Sequence, residues 1–205
     1  MPSADGTYSD GHPVAVVVLA GGGSRRFGSD KLVAHLDGRT LLERALDGLP
    51  AGARVAVVGP ERTLPRPVTF LREQPPGGGP AAGLITGLSW AVGTDASTIV
   101  TLPGDAPAGG RAAMLLGAVL LGTDAASVVG VDPSGRDQVL QLALTRPAAQ
   151  ALVDLAGPTA GQNASVRRLV LALDPPPQRQ PLPAELAADI DTVDQLQQFR
   201  NPDRT

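Results

Sequence analysis

Cysteine is absent from the 205 residues. That excludes a disulfide framework, a thiolate zinc site and a cysteine nucleophile. Histidine is almost as scarce, with only His12 and His35. That argues against a multi-histidine metal site, and a Ser-His-Asp triad would have to use one of those two. There are three Phe, one Tyr and one Trp, too few to stack single-stranded nucleic acid, so the core must be Ala, Val and Leu. Excess positive charge is also missing: the net charge is −3, which gives no footprint for nucleic acid or an anionic membrane. No apolar run approaches the roughly 18 residues of a membrane span. The early run 14-VAVVVLA-20 is short, and Asp5 and Asp10 precede it where a signal peptide would carry lysine or arginine. These absences describe a soluble protein of the cytoplasm, and the lack of cysteine fits a reducing compartment.

Glycine and proline are plentiful, at 25 and 20 residues, which predicts many loops. The length suits one domain. Residues 1–12 are polar and unpatterned and read as a disordered leader; 13–200 form the domain and 201–205 a tail. The segments 14-VAVVVLA-20, 54-RVAVVG-59, 97-STIVTL-102 and 126-ASVVGV-131 are continuously apolar. Strands buried on both faces need that pattern, so a parallel sheet is expected. Helical patterns lie between them: 40-TLLERALDGL-49 with a Thr40–Glu43 capping box, 80-PAAGLITGLSWAV-92 opened by Pro80, and about 111–121. The C-terminal third predicts a strand at 138–144, helices near 147–155 and 164–172, an exposed extended loop over 174-DPPPQRQPLP-183, and a short helix from Thr192. The expected fold is a single Rossmann-like open α/β sheet, mostly parallel, in three α/β/α layers.

Ligands of such sheets bind at the carboxyl ends of the strands. The glycine-rich loop 19-LAGGGSRRFGSDK-31 follows the first strand and is the first candidate. A dinucleotide fingerprint would need glycine where Arg26 stands, and a Walker loop would need lysine where Ser29 stands. A triphosphate cradle of another kind fits better. Its glycines admit close backbone approach, Arg26 offers a guanidinium fork and Lys31 a point charge. A turn carrying solvated charges is the competing reading.

The same segment resembles the L-A-G-G-x-S-x-R-M-G-x-D-K signature of the molybdenum cofactor guanylyltransferases (MobA-like nucleotidyltransferases). Leu19, Ala20, Gly21, Gly22, Ser24, Arg26, Gly28, Asp30 and Lys31 match, and Phe27 replaces methionine. The segments 73-EQPPGGGPAAGL-84, 102-LPGDAP-107 and 191-DTVDQL-196 follow in family order. The resemblance implies a nucleotidyltransferase fold and an Mg2+-dependent transfer of GMP from GTP to the phosphate of a molybdenum-pterin cofactor, with pyrophosphate released. It implies catalytic roles for Lys31, Arg26 and Asp105, and nucleotide contacts from Leu19, Ala20, Gly21, Gly22, Gly79 and Pro80. It also implies metal binding by Asp105 and Asp191, with Asp189 in reserve, and a molybdoenzyme or its chaperone as recipient of the product. Cytidylyltransferases tend to read Ala-Ala-Gly where this chain has Ala20-Gly21-Gly22, which favours guanine.

The sequence departs from the family at two further points. Glu73-Gln74 stands where an aspartate is usual, and Ala81 replaces a leucine. The segment 135-GRDQVLQLALTR-146 is expected to face the acceptor, with Arg136 and Arg146 for its phosphate and Gln138 for a pterin edge. A solvated turn and an edge strand compete with that reading. Asp191 or Thr192 is equally eligible as the cap of the last helix, since Thr192 and Gln195 have capping-box spacing. Two other functions stay open: a transferase of the same fold using CTP or another acceptor, and a nucleotide-binding protein without turnover.

Overall fold

A computed structural model of the chain describes residues 13–21, 30–192, 195 and 196. Leader 1–12, loop residues Gly22 and Arg26, and tail 201–205 lie outside the described residues. In chain order the strands are β1 (Val14–Leu19), β2 (His35–Leu36), β3 (Arg39–Thr40), β4 (Arg54–Val58), β5 (Thr69–Leu71), β6 (Thr98–Pro103), β7 (Ser127–Val131), β8 (Asp137–Thr145) and β9 (Gln178–Pro181). The α-helices are α1 (Leu41–Ala45), α2 (Pro80–Val92), α3 (Gly109–Leu121), α4 (Arg146–Ala156), α5 (Val166–Leu171) and α6 (Ala184–Ala187). Seven strands form one sheet in the order β5-β4-β1-β6-β8-β7-β9, and β2 and β3 make a separate small hairpin.

The continuous apolar runs form strands because helices cover both faces. Val14, Val16 and Val18 of β1 enter one core with α1 and α3, whereas Ala15 and Val17 enter the other with α2, α4 and α5. Alternation along a strand thus feeds two cores, and each position must be apolar. Local signals hold as well. The Thr40 hydroxyl accepts from Glu43 N at 3.2 Å and Glu43 reaches back to Thr40 N at 2.7 Å, while Pro80 starts α2.

Three departures from the sequence reading have physical causes. β8 runs antiparallel between β6 and β7, so the far half of the sheet is mixed. Strand direction depends on long-range pairing, which no local pattern encodes. Within the proline-rich stretch, Gln178–Pro181 forms the edge strand β9, parallel to β7. Proline is tolerated there because an edge strand has one unpaired side. The first helix stops at Ala45 rather than near 49, and the chain turns through Gly48 at φ 83°. Among the described residues, no helix is long and apolar enough to cross a membrane.

Candidate active site

β1 and β6 are neighbours and end together, with Leu19 opposite Pro103. Beyond them, Ala20 N donates to Val58 O at 2.9 Å and Gly104 N donates to Leu19 O at 2.9 Å. The glycine loop and the segment carrying Asp105 therefore leave the sheet side by side. A third segment joins them, because Ile190 N donates to Asp105 O at 3.1 Å. That bond brings Asp189 and Asp191 to the strand ends across 84 residues of chain.

Lys31 opens a 3-10 turn over Lys31–Val33, capped by Asp30, whose Oδ1 accepts from Leu32 N at 3.2 Å. Its Nζ lies 2.5 Å from Asp105 Oδ2 and 2.9 Å from Asp191 Oδ1. Burial alone would lower the Lys31 pKa. The hydrogen bonds and negative charges of Asp105 and Asp191 outweigh it and hold the ammonium above the ordinary lysine value. Asp189 is pushed the other way: desolvation, then the charges of Asp191 and Asp105, raise its carboxyl above the ordinary aspartate value. Asp189 keeps much of its surface in water, so screening keeps that effect modest.

Capping and ligation are divided between neighbours. Gln195 Oε1 accepts from Thr192 N at 2.9 Å and Asp191 N at 2.6 Å, and Gln195 N donates to Thr192 Oγ1 at 3.2 Å. Thr192 closes the capping box, so the Asp191 carboxylate is available to Lys31. Among the described residues, no group of three or more His, Cys, Asp or Glu could hold a metal ion. Two carboxylates nevertheless converge on one cationic nitrogen, Lys31 Nζ. Hard oxygen donors in that number suit Mg2+, which takes one or two carboxylates and fills its shell with phosphates and water.

Two cavities meet at Asp105. The first, about 480 Å³, is lined by Leu19, Gly21, Val58, Glu73, Gly77, Gly79, Pro80, Gly83 and the shared residues Pro103, Asp105 and Leu140. Gly79 caps α2 with φ 89° and ψ 179°, a conformation closed to other residues, and a Cβ there would face open space. Glu73 holds the turn beneath it, its Oε1 accepting from Gly77 N at 3.0 Å. The second cavity, about 410 Å³, is lined by side chains that include Asp132, Arg136, Gln138, Gln141, Asp189 and Asp191. Asp132 accepts from Ser134 Oγ at 2.6 Å, Arg136 N at 3.0 Å and Gln138 Nε2 at 2.8 Å. The Ser134 hydroxyl, chief among these donors, holds its carboxyl below the usual carboxylate range.

The gap between the cavities comes from the sheet. Pairing of β6 with β8 ends at Thr101–Leu142. There the Thr101 hydroxyl donates to Leu140 O at 2.8 Å and accepts from Leu142 N at 3.2 Å. A side chain has taken over ladder bonds, and Pro103 and Leu140 beyond it line both cavities.

The structure thus gathers Leu19, Gly21, Gly79, Pro80, Asp105, Lys31 and Asp191 at one end of the sheet, with Ala20 buried beneath them. Arg136 and Gln138 line the second cavity. Arg146 does not. It donates to Ala96 O at 3.1 Å and to Thr94 O, at the amino end of β6, because nine residues of β8 carry it across the sheet. The sequence reading missed Arg62, Asp132 and Gln141. Only Asp132 left a signal, the turn sequence Asp-Pro-Ser-Gly.

Comparison with known proteins bears on the family and the fold. A model of the MobA-like NTP transferase domain matches residues 16–183. A molybdenum cofactor guanylyltransferase of Acidiphilium cryptum is 35% identical over 103 residues, covering 47% of this chain and 53% of the relative. One from Sinorhizobium fredii is 38% identical over 127 residues, covering 58% of each. The chain thus spans just over half the length of these curated relatives. The crystal structure of molybdopterin-guanine dinucleotide biosynthesis protein A from Archaeoglobus fulgidus superposes with TM-score 0.69 at 18% identity, covering 92% of this chain and 97% of that one. At that identity the likeness speaks for the fold.

Proposed function

The chain belongs to the MobA-like NTP transferase domain family, and from that premise we propose that it transfers GMP from GTP to the phosphate of a molybdenum-pterin cofactor. The observation that carries this reading is the Lys31–Asp105–Asp191 junction between two cavities. The cavity walled by glycines takes the nucleotide: Gly21, Gly79 and Pro80 line it and let a base approach the backbone. The cavity walled by side chains takes the acceptor, with Arg136 for phosphate and Gln138 for a polar ring edge. One N–H of the Gln138 amide is given to Asp132, which leaves its second N–H and its carbonyl oxygen for the ring edge.

In the reaction an acceptor phosphate oxygen attacks the α-phosphorus of GTP. A P–O–P bond forms, the bond from the α-phosphorus to the bridging oxygen breaks, and pyrophosphate leaves with the electron pair. The protein supplies alignment and charge neutralisation rather than a nucleophile. Lys31 exchanges a carboxylate oxygen for an α-phosphate oxygen and neutralises charge as it builds. Arg26, by resemblance, takes the leaving pyrophosphate. Asp105 and Asp191 would hold Mg2+, which supplies a Lewis acid at the phosphates when bound.

Turnover with a nucleotide panel, Mg2+ and molybdenum cofactor, read by pyrophosphate release, tests the proposal. GTP is expected to give cofactor-dependent pyrophosphate and CTP much less. Release with CTP instead would move the base assignment, and absence of cofactor-dependent release with every nucleotide of the panel would overturn the reading.

A further inference from the structure

We propose that Arg62 is a positioning residue: its guanidinium fixes the spacing between the Ala20–Gly21 backbone and Lys31, and so sets the geometry in which a triphosphate is held. Arg62 lies in the connection after β4, outside every recognised motif. Its Nε and Nη2 donate to Asp30 Oδ2 at 3.1 and 2.8 Å, and its Nη1 donates to Pro60 O at 3.0 Å and Ala20 O at 3.4 Å. Its side chain is 11% exposed, unlike the solvated arginines whose ion pairs contribute little.

Each contact has a consequence for the site. Ala20 is the first residue after β1, and its neighbour Gly21 lines the first cavity. The turn carrying Arg62 is pressed against it: a Cβ on Gly59 would stand 2.4 Å from Ala20 O. At the other end, Asp30 is two-sided. Its Oδ2 takes the guanidinium, while its Oδ1 accepts from Leu32 N and caps the turn that begins with Lys31. One planar fork therefore ties the end of β1 to the start of the Lys31 turn. Lysine cannot reproduce this, because an ammonium lacks the fixed fork.

The inference rests on the nucleotidyltransferase reading for its effect on substrate, but the clamp itself does not. The test compares wild type, Arg62→Ala and Arg62→Lys by amide hydrogen exchange without nucleotide, by titration with Mg2+ and GTP, and by thermal melting. Arg62→Ala is expected to speed exchange at Ala20, Gly21, Lys31 and Leu32, and to weaken GTP binding on the order of tenfold, the effect of one lost charged hydrogen bond. Arg62→Lys should fall between the two. Unchanged exchange at those four amides overturns the proposal. So does a lowered Tm with uniformly faster exchange and unchanged affinity per folded molecule, which would make Arg62 a general stabiliser. If wild type binds no nucleotide, the transferase reading fails, while the exchange comparison still decides the clamp.

Discussion

The two cavities that share Asp105 are built in opposite ways. The first is lined mostly by glycines, prolines and aliphatic side chains from the ends of β1, β4 and β6, from the start of α2 with the turn before it, and from β8. The second is lined by Asp132, Arg136, Gln138, Asp189 and Asp191, whose polar atoms reach in from a turn, a strand and a late loop. A wall of backbone selects by shape and by fixed N–H and C=O groups. A wall of polar side chains selects by charge and hydrogen bonding, and it can change partner by substitution without disturbing the sheet. The same sheet therefore presents one conservative surface and one adaptable surface, with Lys31 and Asp105 between them.

Residues at the junction should break both sides at once. Asp105→Ala and Lys31→Ala are each expected to lower turnover by roughly 10²–10³-fold or more, with both variants still folded by circular dichroism. A near-normal rate in Lys31→Ala would remove the phosphate role assigned to it. Such a loss would not assign either residue to one cavity; it would locate the shared reacting centre.

A substitution confined to the backbone-walled cavity should separate the two. At Gly21 an added Cβ would lie 3.6 Å from Val58 O, an ordinary contact, so Gly21→Ala is expected to fold. Its methyl takes space that a purine would use. The ratio of kcat/KM for GTP to that for CTP should fall about tenfold, the discrimination one methyl group typically provides. The KM for the acceptor should not move. A change in acceptor KM with the nucleotide ratio intact would contradict the division of labour between the cavities.

The division also marks what the sequence could disclose. Several features set by local rules were readable: the valine run of β1, the Thr40–Glu43 box, Pro80 at the start of α2, and Asp105 just past a strand. The pairing of β8 between β6 and β7 was not readable. Neither was the bond from Ile190 N to Asp105 O that delivers Asp191. These depend on residues far apart in sequence, where no periodicity acts. Arg146 shows the cost: it stands beside the acceptor segment in sequence but at the wrong end of a nine-residue strand. Arg62 is the converse, carrying no motif and placed at the loop by strand order alone.

The smallest expected effect is on stability, and it tests whether Lys31 is held by its two carboxylates as the junction requires. Asp105 and Asp191 raise the Lys31 pKa above the ordinary value near 10.5. The folded state thus holds the Lys31 proton more tightly than the unfolded chain does. The stability this contributes is fully present below the unfolded lysine pKa, and it is lost as pH rises through the folded value. Lys31→Met lacks that contribution. Its Tm should lie below wild type by about 2–4 °C near neutral pH, the shift that 1 kcal/mol produces in a chain of this length. The gap should be flat from pH 7 to 9 and close only above about pH 10.5. Because surface charge pairs are screened, 1 M salt should shrink the gap only in part, as the Lys31 side chain is 17% exposed. A gap that closes already at pH 8 would mean that the ammonium is not stabilised by Asp105 and Asp191. The junction would then be a contact of convenience rather than the electrostatic centre joining the two cavities.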